Sequence, residues 1–420
     1  MRKRTFPAVL FFVGILLIAC GLIQPQIATV EVTRVVRETV DVTRIVRATV
    51  LVTPKPPLVL KVDVTQGFPL LISRALHTAT RLTDGRVLLV GGSQAPDEHL
   101  AVVEIFNPVT GKTGWAAPLH TARHGHTATL LPDGRVLVVG GYNVPQGWLT
   151  DAEVYDPSSN SWTVVPPPSP HGVSHTATRM KDGRVLVAGG CIGSGVCTDR
   201  VEIFDPKTNT WTKAASLAGD RASQTAILLD DGRVLLAGGG SETGAPAGGD
   251  ALLYDPQTDA WAATGPMVTP GDFAQSVRLP DGRVLVAGGM AQADASSLAM
   301  TASAEVYDPA SNTWTAVPSL SQPRYAFSLV SSSDGHVLAI GGARDHENNF
   351  KASSFIREIE SYDWQANRWS VVGELPQPEA FATATLLMDG RVWVTGGLSG
   401  RAREDFSSGT LFLTPALVQP

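Results

Sequence analysis

The stretch that decides the fold is Asp84-Gly85-Arg86-Val87-Leu88-Leu89-Val90-Gly91-Gly92. It returns as DGRVLVVGG at Asp133, DGRVLVAGG at Asp182, DGRVLLAGG at Asp231, DGRVLVAGG at Asp281, DGHVLAIGG at Asp334 and DGRVWVTGG at Asp389. The copies are 49, 49, 49, 50, 53 and 55 residues apart. A fixed period in this range marks a chain built by repeating one supersecondary unit.

The second unit shows the pattern most plainly. Arg123–Leu131 and Arg135–Gly141 are β-rich runs separated by Asp133-Gly134, a strong short hairpin signal because its turn needs positive φ. Ala152–Pro157 and Trp162–Val165 are two further runs, joined by the polar turn Ser158-Ser-Asn-Ser161. A longer, variable stretch that begins at the double glycine links the second run to the third. Four short strands per unit, repeated about every 50 residues, describe the blades of a β-propeller. Phe106, Tyr155, Phe204, Tyr254, Tyr307 and Tyr362 recur in the third run, and Trp115, Trp162, Trp211, Trp261, Trp314 and Trp369 at the start of the fourth. Aromatics at so regular a spacing are expected to pack between blades.

A double glycine, then an aromatic, then Trp at this spacing resembles the kelch motif, from about Pro57 to the end of the chain. The resemblance implies an all-β fold, a seven-bladed kelch-type propeller related to the central domain of galactose oxidase. Two departures are local: Leu252 stands where other units have Glu104, Glu153, Glu202, Glu305 and Glu360, and Trp364 replaces a Pro. The seventh unit supplies two runs and Thr410–Pro415 but no fourth run. Leu58–Thr65 is expected to fill that place and close the ring, since Val64 precedes His77 by the same 13 residues that separate Trp162 from His175.

Residues 1–19 read as an export signal, with Met1-Arg2-Lys3-Arg4 followed by an apolar stretch too short to span a bilayer comfortably. Leu17-Ile18-Ala19-Cys20 resembles the lipobox of bacterial lipoproteins, which implies lipidation of Cys20 and a protein of the cell envelope, extracytoplasmic and lipid-anchored. Residues 20–57 carry a ten-residue repeat, VEVTRVVRET from Val30 and VDVTRIVRAT from Val40, and read as a stalk, with self-pairing strands as the alternative. The propeller occupies 58–420. Cys191 and Cys197 flank a short loop and are expected to form a disulfide outside the cytoplasm.

The net charge of −6 becomes about −9 once Arg2, Lys3 and Arg4 leave with the signal. An acidic chain without basic clusters argues against nucleic acid as a partner. Function is therefore sought on the loop face, where the innermost strands begin. The candidate ligand-binding residues there are Arg74, Arg123, His124, Arg221, Asp272, Arg324, Tyr325 and Glu379, with His171 beside them and the loops Arg344–Glu347 and Arg401–Asp405 above. Arg74, Arg123, Arg221 and Arg324 share one register and could converge on carboxylates or sugar hydroxyls, or instead satisfy local acceptors. On the first reading, Arg221→Ala with Arg324→Ala abolishes capture of a ligand while leaving the melting temperature nearly intact. His77, His126 and His175 repeat in three successive units and are read as structural, with no metal assigned.

The sequence supplies no catalytic residues that the repeat singles out and no cofactor, copper included. It reads as a membrane-tethered, non-catalytic module whose propeller mouth binds a glycan or a protein. The alternative is a carbohydrate-active enzyme, either a copper oxidase of the galactose oxidase type or a mutarotase of the sialic acid type using Arg221, Arg324 and Glu379.

Overall fold

A computed structural model describes residues 28–34, 46–52, 59–165, 169–194, 196–240, 251–292, 298–345, 354–399 and 405–418. Among them are seven four-stranded antiparallel sheets, one for each copy of the repeat, numbered here as blades 1–7. In blade 2 the strands are Thr127–Leu130, Val136–Val139, Ala152–Asp156 and Ser161–Val165, innermost to outermost. The nine-residue string supplies the hairpin turn and the second strand, which is buried on both faces in every blade. Innermost strands touch their neighbours in sequence order, and Thr383–Leu386 of blade 7 touches Thr78–Arg81 of blade 1, so the order closes on itself.

Blade 7 is assembled from both ends of the chain. Its strands are Thr383–Leu386, Val392–Thr395, Thr410–Val418 and, outermost, Val59–Gln66, one residue on from the stretch expected to seal the ring. The N–H of Gly67 donates to Thr410 O at 2.8 Å, and the Thr410 hydroxyl donates to Phe68 O at 2.7 Å. Val62 is buried with Leu411 and Leu413. On the other side of this blade Trp393, 1% exposed, stacks on Phe106 of blade 1 with ring centroids 4.1 Å apart.

The double glycine lets adjoining blades approach. Gly189 has φ +67, and a Cβ there would lie 2.2 Å from the carbonyl oxygen of Arg221 in the next blade. Backbone cannot yield as a flexible side chain can, so Gly189→Ala should cost about 2–3 kcal/mol. Chemical denaturation with an unchanged m-value would register the loss, and a midpoint equal to that of the parent would refute the account.

In blades 2–6 the recurring aromatics of the third and fourth strands lie opposite one another. Tyr155 lies opposite Trp162, and its hydroxyl donates to Asn160 Oδ1, a turn residue at φ +49. Trp162 then donates from Nε1 to Ala117 O of blade 1 at 2.7 Å, which ties the blades together. Blade 1 departs from this. Thr113, not Trp115, lies opposite Phe106: the turn before it has the same four residues as in blade 2, but the tryptophan comes two residues later in the strand, and Trp115 is 56% exposed.

Cys191 and Cys197 are disulfide-bonded. Upstream of the propeller, Ala28–Arg34 pairs antiparallel with Val46–Val52, Ala28 facing Val52 and Arg34 facing Val46. The segments 1–19 and Cys20 lie outside the described residues, as does the rest of 20–57 apart from these two strands.

Candidate functional site

The four arginines that share a register do not gather at the mouth. Arg74, Arg123 and Arg324 are fully buried inside their own blades. Arg123 donates to Gly140 O at 2.8 Å, the first glycine of its own pair, and to Glu153 on the third strand at 2.7 Å. Arg74 makes the same bonds to Gly91 O and Glu104, and Arg324 to Gly341 O and Glu360. Each glutamate in turn accepts a backbone N–H from the segment leading into the innermost strand: Leu71, His120 and Ser321. The pair is a staple that fastens strand start, glycine corner and third strand within one blade. A buried charge needs such satisfaction of its remaining donors. In blade 3, His171 replaces the arginine, with Nδ1 2.7 Å from Gly189 O and Nε2 3.5 Å from Glu202.

His77, His126 and His175 are likewise structural. Each is buried with Nε2 against a threonine hydroxyl of the preceding blade: Thr383, Thr78 and Thr127, at 3.1, 3.0 and 2.9 Å. Burial pushes His77 and His175 down to about 3 and His126 well below the ordinary imidazole value.

The staple fails in blades 4, 5 and 7, and there the mouth changes character. Arg221 donates to Gly238 O at 3.0 Å, but Leu252 occupies the glutamate position. Asp272, one blade on, feels the charge of Arg221. Burial raises the Asp272 carboxyl to about 6, with Arg221 opposing the rise. In blade 5 Gly271 holds the arginine register, and among the described residues Glu305 keeps only its backbone donors Val268 and Thr269; burial pushes its carboxyl up. Blade 7 is reversed: Glu379 stands in the arginine register and Leu411 in the glutamate one. No hydrogen-bond donor reaches the Glu379 carboxyl among the described residues, and burial drives it up to about 8.

That value fixes a sign. An unfolded glutamate loses its proton near 4.5 while folded Glu379 keeps its own to about 8, so the folded state gains less from deprotonation and stability falls as pH rises between them. Glu379→Gln should raise the melting temperature by several degrees at pH 8.5 and leave it nearly unchanged at pH 4.5. Equal shifts at both pH values would contradict the assignment.

At the rim, one residue per blade adopts a left-handed backbone: Leu76, Gly125, Ser174, Ser223, Phe273, Ala326 and Phe381, with φ from 52° to 64°. Small residues suffice at four of these positions, yet blades 5 and 7 carry phenylalanine, where a bulky side chain is strained. Tyr325 of blade 6 sits between them, edge-on to Phe273 and to Phe381 at 5.5 Å each. Burial raises its phenol to about 12. Phe273, Tyr325 and Phe381 therefore form an aromatic arc over blades 5–7, flanked by Asp272 and Glu379. Periodicity could not find it, because it lies where the copies differ. His124 is on blade 2, away from this arc, against His99 and Tyr142. Of the upper loops, Arg344 and Asp345 are described, as is Asp405; residues 346–347 and 401–404 lie outside the described residues.

The disulfide Cys191–Cys197 lies on blade 3, and Tyr142 and Tyr325 stand in separate aromatic groups.

Residues 76–289 match the KLHDC2/KLHL20/DRC7 Kelch-repeats domain, and residues 276–321 the Kelch motif. Beta-scruin of Limulus polyphemus is 31% identical over 98 residues, 23% of this chain and 10% of that protein. The human Kelch repeat and BTB domain-containing protein 13 is 43% identical over 74 residues, 18% of this chain and 14% of that protein. Human Kelch-like protein 21 is 29% identical over 120 residues, 29% and 19% respectively. The chain thus spans a fifth or less of the length of these relatives. Among solved structures, a fungal alcohol oxidase with catalytic diversity among the AA5 family, in complex with copper, aligns with a TM-score of 0.66 over 84% of this chain and 76% of its own. At 19% identity that likeness concerns the fold alone.

Proposed function

Because the chain belongs to the kelch-repeat family, we propose that it is a non-catalytic binding propeller that holds a protein ligand on its loop face, over blades 5–7. The observation that carries this reading is the aromatic arc of Phe273, Tyr325 and Phe381, kept on a backbone that Ser or Ala occupies more easily in the neighbouring blades. Partly exposed aromatics on a rigid scaffold bury large area at small entropic cost when a partner docks. Asp272 and Glu379 add hydrogen-bonding groups beside them. The same chemistry, ring faces beside carboxyl groups, suits a glycan, which is the second reading.

The proposal extends to where the protein works. The basic start of the chain, the short apolar stretch and Cys20 support export and lipid attachment at a bacterial cell envelope, with residues 20–57 as the spacer. Incorporation of a radiolabelled fatty acid that Cys20→Ser abolishes would support the tether; equal labelling of both chains would exclude it.

Phe273→Ser with Tyr325→Ala tests the site itself. The serine copies what blades 3 and 4 carry at the same backbone conformation, so the propeller should remain folded. Peptide and glycan arrays probed with parent and variant should show capture by the parent alone, and peptides against glycans separates the two readings. Capture retained at full strength by the variant would refute this location.

A further inference from the structure

A different cluster lies on the loop face of blades 1 and 2 and does not depend on the reading above. His99 and His124 turn their Nδ1 atoms toward each other at 3.0 Å, with ring centroids 4.5 Å apart and planes tilted by 33°. The Ser93 hydroxyl is also 3.0 Å from His99 Nδ1. Tyr142 packs edge-on against both imidazoles, with centroids 5.8 Å and 5.6 Å away, and Trp148 backs Tyr142 at 5.3 Å. The rings are thereby braced from one side by aromatic contacts.

Two nitrogens each about 2.1 Å from one ion, at a right angle, stand about 3.0 Å apart. The observed separation is that spacing, and Ser93 Oγ stands at the same distance from His99 Nδ1 as His124 does. We infer that His99 and His124, with the Ser93 hydroxyl, form a chelating site for a divalent cation that takes its donors at right angles, such as Ni²⁺ or Cu²⁺. Imidazole nitrogen is the donor these ions prefer. Among the described residues no group of three His, Cys, Asp or Glu side chains forms a metal site. The remaining coordination positions are therefore open to water or to a donor brought by a ligand, the arrangement of an exchangeable site rather than a closed structural one.

Without metal, one imidazole donates its Nδ1 proton to the other. On binding, that proton moves to Nε2 of its own ring, and both Nδ1 lone pairs face the ion with no net change in charge on the protein. Burial already keeps both imidazoles in the neutral, ligating form at neutral pH.

Isothermal titration of the purified, untagged chain with NiCl₂ or CuCl₂ tests the assignment. One equivalent should bind, and His99→Ala and His124→Ala should each weaken binding at least tenfold. His336→Ala, at an Asp334-Gly335 turn remote from this cluster, should bind as the parent does. His124→Asn keeps a polar side chain of similar reach and guards against misfolding as the cause; it too should lose the ion. No one-equivalent binding below millimolar metal, or unchanged affinity in both alanine variants, would overturn the inference.

Discussion

Arg324→Ala should lower the unfolding free energy by about 3–5 kcal/mol, because it leaves Glu360 buried without its counter-charge and Gly341 O without its donor. The expectation that this substitution spares stability while removing a ligand contact is replaced by its opposite. The glutamate still holds Ser321 N–H, so the strand start stays attached on one side and the loss stops short of abolishing the fold. The double variant Arg324→Met, Glu360→Leu should recover much of the stability, since a packed apolar pair carries no desolvation cost. Blades 4 and 7 already place Leu252 and Leu411 in the glutamate register, showing that an apolar residue fits there. Urea denaturation of the parent, single and double variants decides this. A single variant as stable as the parent would show that the staple does not hold the blade.

A chain that begins after Gln66 should lose cooperative folding altogether. Blade 7 would keep three strands, exposing the edge of Thr410–Val418 together with Leu411 and Leu413, which Val62 covers. An open edge of that kind pairs with other chains. The expected result is aggregation or a broad thermal transition, seen by sedimentation and circular dichroism. A chain that begins at Leu58 should melt sharply, like the parent. A sharp melt within a few degrees of the parent for the shorter chain would refute closure by this strand.

The fold was legible because its signals are local and repeated. Asp-Gly at fixed intervals announces hairpins, and the double glycine announces a corner where no Cβ fits, as at Gly189. Closure was legible from counting, since the register of Val64 against His77 needs no knowledge of side chains. The candidate site was only partly legible. Arg74, Arg123 and Arg324 attract attention as charges in one register, but a register says nothing of which way a long side chain turns, and theirs turn inward to Glu104, Glu153 and Glu360. Leu252 was the visible clue that a blade had lost its staple. Phe273 and Phe381 escaped because nothing in composition marks a phenylalanine held at positive φ. Trp115 misled because the spacing of an aromatic tolerates a two-residue slip that the strand register does not.

The strand Val59–Gln66 has a mechanical meaning as well. Everything upstream of Val59, including the residues proposed to fix the protein to a membrane, is joined covalently to the propeller through that outermost strand. Tension along the strand would be carried by its row of hydrogen bonds to Thr410–Val418 in shear, many bonds sharing the pull rather than opening one by one. The seam that completes the ring would then be the element that resists when a captured partner is dragged away, and the first place where force unravels the propeller once it yields.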